Sequence, residues 1–221
     1  PKIINLGKNG NSPQENLAGI VEYAAELKPK YIIWMHFWND LEGMMQVRNI
    51  DILDKYVHEN FSQNLISRTN EIEDLFINAY DRNNFMDIPF NWKSFLKLSH
   101  LRGSLTNIPQ LKYSPVTNFL NIDYVYLKKL FAKAKSLAEN LDSELHIVSI
   151  PAAFEMYDGV SKENKIFEKI VKELQIPFHK LSKEFNKIGE TENLYSYKFD
   201  SHLSPLGDNI ISEYIKEKIL K

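Results

Sequence analysis

The 221-residue chain contains no cysteine. Disulfides, thiolate metal sites and a cysteine nucleophile are thereby excluded together. Neither sign of charge is in excess: 27 basic residues stand against 29 acidic ones, a formal net charge of −2. A chain that grips phosphate backbones or anionic lipid carries a basic excess, so no nucleic-acid partner is expected. No apolar run approaches the roughly 18 residues that cross a bilayer, so no membrane span is expected in this chain. Internal repeats, low-complexity tracts and linkers are missing too. Glycine is sparse at 8 residues. The phosphate-binding patterns are correspondingly absent, since Gly7–Ser12 has no P-loop Lys-Ser/Thr and no G-x-G-x-x-G occurs. Neither a Gly-x-Ser-x-Gly nor a Gly-Asp-Ser turn is present. What remains is ordinary globular composition, with 43% hydrophobic residues, at a length suited to one domain over residues 1–221.

The chain reads as alternating strands and helices. Lys2–Leu6 is expected to be a short buried strand with Gly7–Asn11 as its exit loop. Ser12-Pro13-Gln14-Glu15 is a capping box with proline at the first helical position. The helix it opens runs to about Lys28, with Leu17, Ile20, Val21, Ala24 and Leu27 on one face. Tyr31–Phe37 has no charge and reads as a central parallel strand covered on both faces. Strand, helix and strand at this spacing form a βαβ unit with a right-handed crossover. The pattern resumes with a helix at Asp123–Asn140, a strand at Leu145–Ile150 and a helix at Lys162–Leu174. A strand at Ile176–Leu181 and a closing helix at Pro205–Leu220 follow. The expected fold class is α/β, a doubly wound parallel sheet.

Between residues 42 and 120 the alternation lapses. Helices are expected at Ile50–Tyr56, Asn64–Asn78 and Asn91–Leu101. About 80 residues is too long for a plain connection. This stretch reads as a helical insertion, either a candidate lid or an elaboration with its own core.

Three segments carry residues suited to chemistry. Asp200 and His202, in Tyr197-Lys198-Phe199-Asp200-Ser201-His202, stand two apart before a helix start at Ser204-Pro205. In an extended segment they share a face, the arrangement that a general base and its orienting carboxylate need. Asn39 follows the strand Tyr31–Phe37, and Gly10 follows the expected strand Lys2–Leu6. In an open parallel sheet, ligands bind beyond the carboxyl ends of the strands. A backbone N–H at Gly10 and the amide of Asn39 are donors of the kind that stabilise an oxyanion. Each also has a plain structural reading: Gly10 as a turn residue with positive φ, Asn39 as a helix cap. His36, inside an apolar strand, reads as a packed core histidine, and Asp40 as a carboxylate bonded to loop amides. His36, Asp40, Asp200 and His202 lack compact ligand spacing, so no metal site is expected, and no cofactor is implied.

The three segments resemble the blocks of the SGNH (GDSL-type) hydrolases, in the family's chain order. Asn5-x-x-x-x-Gly10 before a helix is similar to the second block, Trp38-Asn39-Asp40 to the third, and Asp200-x-His202 to the fifth. Two positions depart from the pattern. Phe37 stands where the family has glycine, and Asp200 is one residue closer to His202 than in the usual Asp-x-x-His. The resemblance implies a flavodoxin-like three-layer α/β/α fold and an esterase or O-acyl transferase, with a nucleophilic serine expected upstream of residue 1. It further implies His202 as base, Asp200 as its orienter, and Gly10 with Asn39 as oxyanion hole. The partner so implied is a small-molecule or glycan O-acyl ester, in a bacterial protein. Two alternatives stay open: a non-catalytic relative that binds a glycan or acyl ligand, and a phosphate- or nucleotide-binding module using Gly7–Ser12 at a helix N-terminus.

Overall fold

A computed structural model describes residues 2–8, 10–82, 122–196 and 202–220. The chain divides into two compact units, Pro1–Gln63 with Leu120–Lys221, and Asn64–Phe119. The first unit is α/β. Among the described residues its sheet has three parallel strands in the order β1 (Tyr31–Phe37), β2 (Glu144–Ile150) and β3 (Phe178–Lys180). Phe37 lies opposite Ile150, so β1 and β2 end level with each other.

The first helix begins where the capping box places it. Ser12 Oγ accepts from the Glu15 N–H, and the Glu15 carboxylate accepts from the Ser12 N–H at 2.7 Å. Helix α1 (Pro13–Gly19) runs through a π-helical stretch (Ile20–Ala24) into α2 (Ala25–Leu27). A π turn holds one residue more than an α turn, which rotates everything downstream by about 100°. The even 3.6-residue stripe expected from sequence is therefore broken. Leu27 is exposed and Glu22 is buried instead. The Glu22 carboxylate accepts from the Tyr56 hydroxyl, the Ser62 hydroxyl and the Gln63 N–H. Burial and that carboxylate push the Tyr56 phenol up to about 12.

Side-chain alternation along the strands divides two apolar cores. Trp34, Leu145 and Ile147 face a core with Leu17, Met44, Tyr56, Leu130, Phe131, Phe167 and Val171. These come from α1, α3 (Asp40–Gln46), α4 (Asp51–His58), α6 (Tyr124–Asn140) and α8 (Lys162–Glu173). Val148 faces the other core, with Ala153, Phe185, Leu194 and Ile211. That core takes in α7 (Ala153–Asp158), α9 (Ser182–Asn186), the 3₁₀ turn Thr191–Leu194 and α10 (Pro205–Lys218). Helices thus cover both faces of the sheet. Among the described residues no helix is long and apolar enough to cross a membrane.

Three expectations are corrected. Lys2–Leu6 is not a strand, and residues 2–8 are all exposed, Ile3 at 76%. The Gly7 N–H is held by the Asn5 side chain at 2.8 Å, and the Asn11 N–H by the Lys8 carbonyl. Such local bonds compete with a strand ladder. β1 is an edge strand, not a central one, among the described residues. Its Met35 is 38% exposed, and β2 takes the centre. The interruption expected from residue 42 is divided. α3 and α4 belong to the first unit, because Met44, Tyr56 and Val57 complete its core. The second unit contains α5 (Thr69–Arg82), whose first turn carries a two-bond ion pair from Arg68 to Glu71. The helix expected at Asn91–Leu101 lies outside the described residues.

Candidate functional site

The carboxyl ends of β1 and β2 define one edge of the sheet, and the exit loop of β1 is fixed there by its own carboxylate. Asp40 Oδ2 accepts from the Phe37 N–H at 3.1 Å and lies 3.3 Å from His36 Nδ1. This closes the turn Phe37–Asp40 around Asn39. The Asn39 backbone occupies the N-cap position of α3, and its carbonyl accepts from the Gly43 N–H. Its side chain makes no capping bond. The amide is exposed and takes no partner among the described residues. An Asn at this position ordinarily turns its oxygen onto the helix; here it makes no such bond and the residue is exposed. Next to it, the Trp38 ring meets Phe154 edge-on at 5.1 Å, and the Trp38 indole N–H is buried without a hydrogen-bond partner.

Gly10 has φ 78°, the left-handed conformation that glycine adopts freely, and open space around its Cα. The backbone geometry, not crowding, requires glycine here. Its loop leads directly to Ser12, against which Gly43 of α3 packs. The loop holding Gly10 therefore borders the helix that Asn39 starts. The N-terminus of α1 does not present a vacant anion cradle. The Glu15 carboxylate already accepts from both the Ser12 N–H and the Ser12 hydroxyl, placing a negative charge where a phosphate would sit.

His202 is exposed and described; Asp200 lies outside the described residues. The His202 carbonyl accepts from the Ser196 N–H, and Leu203 forms an antiparallel bridge with Tyr195. Ser204 caps α10 by accepting from the Gly207 N–H, and its hydroxyl donates to the Asn193 carbonyl. The Tyr195 hydroxyl donates to the carbonyl of Pro151, the residue after β2, at 2.9 Å. Burial drives the Tyr195 phenol far above its ordinary value, so it stays a donor. The segment bearing His202 is thus tied to the end of β2, which is level with the end of β1 and with Asn39.

Sequence reasoning passed over three residues that organise this edge. Tyr195 is one. Glu155 and Asn164 are the others: Asn164 Nδ2 donates to Glu155 Oε1 at 2.9 Å, and Glu155 Oε2 accepts from the Ala152 N–H. The only sequence signal was an acidic residue three positions into a helix after Pro151-Ala152. Among the described residues no cluster of His, Asp and Glu could hold a metal ion.

Comparison of the chain with protein-family models, with curated proteins and with solved structures finds no match in any of the three.

Proposed function

We propose that this chain forms the oxyanion and base side of an SGNH-type acyl-transfer site on a flavodoxin-like sheet. The reaction is hydrolysis or transfer of an O-acyl ester. The observation that carries the reading is the place of Asn39, after β1 at the carboxyl end of a parallel strand, with a side chain not used for helix capping. A side-chain amide donor at this place, with the N–H of Gly10, is of the kind that a tetrahedral oxyanion requires. His202 takes the proton of a serine hydroxyl and returns it to the leaving alkoxide, with Asp200 holding the imidazole tautomer. The nucleophile in this reading precedes residue 1. The phosphate-binding alternative is disfavoured by the Glu15 carboxylate, which already accepts from the Ser12 N–H and hydroxyl at that helix start.

The test has two arms. A fluorophosphonate should label a serine in a chain carrying the upstream segment and none in the 221-residue chain. In the labelled chain, Asn39→Ala should lower kcat by about 10²–10³ with little change in KM, the usual effect of removing one oxyanion donor. Labelling and turnover absent from both chains would overturn the hydrolase reading.

A further inference from the structure

We propose that His36 is a positioning residue that sets Asn39 and His202 in register through a buried chain of polar contacts. The proposal rests on the acyl-transfer reading for its purpose, but not for its geometry.

The chain starts beside Asn39. Asp40 closes the turn around that residue and lies 3.3 Å from His36 Nδ1. The His36 ring is 2% exposed and stacks on Phe167 with centroids 3.9 Å apart. Its other nitrogen, Nε2, lies 3.3 Å from Asn164 Oδ1. The orientation of Asn164 is set from its far side, because its Nδ2 donates to Glu155. That leaves Oδ1 to accept from His36 Nε2–H. Both ring nitrogens of His36 therefore face oxygen. Glu155 in turn accepts from the Ala152 N–H. The adjacent residue, Pro151, offers its carbonyl to the Tyr195 hydroxyl. Tyr195 is bridged to Leu203, the neighbour of His202.

The path runs from the loop after β1 to the loop after β2 and on to the His202 segment. Its side chains are buried or nearly so: Asn164 is 9% exposed, Glu155 7% and Tyr195 3%. Buried polar groups of this kind have few alternative partners, so each bond fixes the next. An apolar core alone would hold the same elements together, but it tolerates small slides. A hydrogen-bonded chain does not, and oxyanion donor and base must agree in position to within about 0.5 Å. That is a physical use for a polar network that an apolar core could replace.

The test is NMR on the isotope-labelled 221-residue chain, reading the Asn39 side-chain amide and the His202 ring. His36→Phe keeps a ring on Phe167 and removes the Asn164 bond and the Asp40 contact. It should displace both sets of signals. Tyr195→Phe cuts the chain at its other end and should displace the Asn39 amide, although Tyr195 lies in another loop. Leu130→Ala removes fully buried apolar volume and no member of the chain. It should lower the melting temperature at least as much while leaving both probes in place. Three results would overturn the proposal. They are wild-type Asn39 signals in Tyr195→Phe, wild-type His202 signals in His36→Phe, or equal displacement in Leu130→Ala. Should His36→Phe not fold, Tyr195→Phe and Leu130→Ala decide it. None of these readings needs turnover, so failure here and failure of the acyl-transfer reading remain distinct.

Discussion

Gly207→Ala should destabilise the protein, although the substitution replaces glycine by alanine inside a helix. Gly207 is buried in the first turn of α10. A Cβ built there would lie 2.5 Å from the Leu194 carbonyl oxygen and 3.0 Å from Leu203 Cδ2. The first obstacle is backbone, which cannot swing aside as a flexible side chain would. Overpacking of this kind costs about 1–3 kcal/mol. The same Leu194 carbonyl accepts from the Ser204 N–H at 2.9 Å, and displacing it forfeits about 1 kcal/mol more. Helix propensity returns at most about 1 kcal/mol. The net expectation is a loss of about 1–3 kcal/mol. Gly19 is the internal control. Its φ and ψ are −57° and −40°, ordinary helical values, and apart from the helix's own adjoining backbone no atom lies within 4 Å of a Cβ built there. Gly19→Ala should therefore stabilise by up to about 1 kcal/mol. Urea denaturation followed by tryptophan fluorescence measures both. If Gly207→Ala were as stable as the wild type, or moved with Gly19→Ala, the close approach of α10 to Leu194 would be wrong.

Two further outcomes concern the same helix and the face of the sheet that it covers. Ser204→Ala removes the cap of α10 and the bond to the Asn193 carbonyl, and should cost about 1–2 kcal/mol. Ser204→Asp keeps the capping acceptor but cannot donate to Asn193, so its urea midpoint should fall between those of Ala and wild type. His179 bonds to His146 on one side at 3.0 Å and to the Tyr214 hydroxyl on the other at 3.1 Å. Burial and the neighbouring His146 lower its pKa from 6.5. The unfolded chain then binds the proton more readily than the folded one. The stability this group contributes is present above about pH 6.5 and is lost as pH falls through its lower folded value. Melting temperatures recorded downward from pH 7.5 should decline, and His179→Gln should make the decline shallower; an identical slope would refute the assignment.

The elements with strong local signals were legible from sequence. The Ser12 capping box, the start of α6 at Asp123, strands β1 and β2, and the Ser204-Pro205 start of α10 all lie within a residue or two of their expected bounds. Their cues are short-range: a capping side chain, a fixed φ, a run of β-branched residues. What was not legible depended on long-range pairing. Lys2–Leu6 has a strand's composition, but composition does not supply a neighbour. α7 and α9 are too short for a periodic stripe to show. The candidate site divides the same way. Asn39, Gly10 and His202 were visible as residue types after expected strands. Glu155, Asn164 and Tyr195 were not, because their partners lie up to 128 positions away, as between Asn164 and His36. Asp200 stays outside the described residues.

The π-helical stretch at Ile20–Ala24 changes what a length difference means in this helix. Elsewhere in the helices, losing one residue turns everything downstream by about 100° and moves it by about 1.5 Å. Here it would return the backbone to α-helical winding and leave the downstream half facing as it does now. Leu27 would stay on the exposed face. A single deletion at this point is thus absorbed within the helix. What it puts at risk is the bulge itself, with the buried Glu22 and its Tyr56 and Gln63 donors.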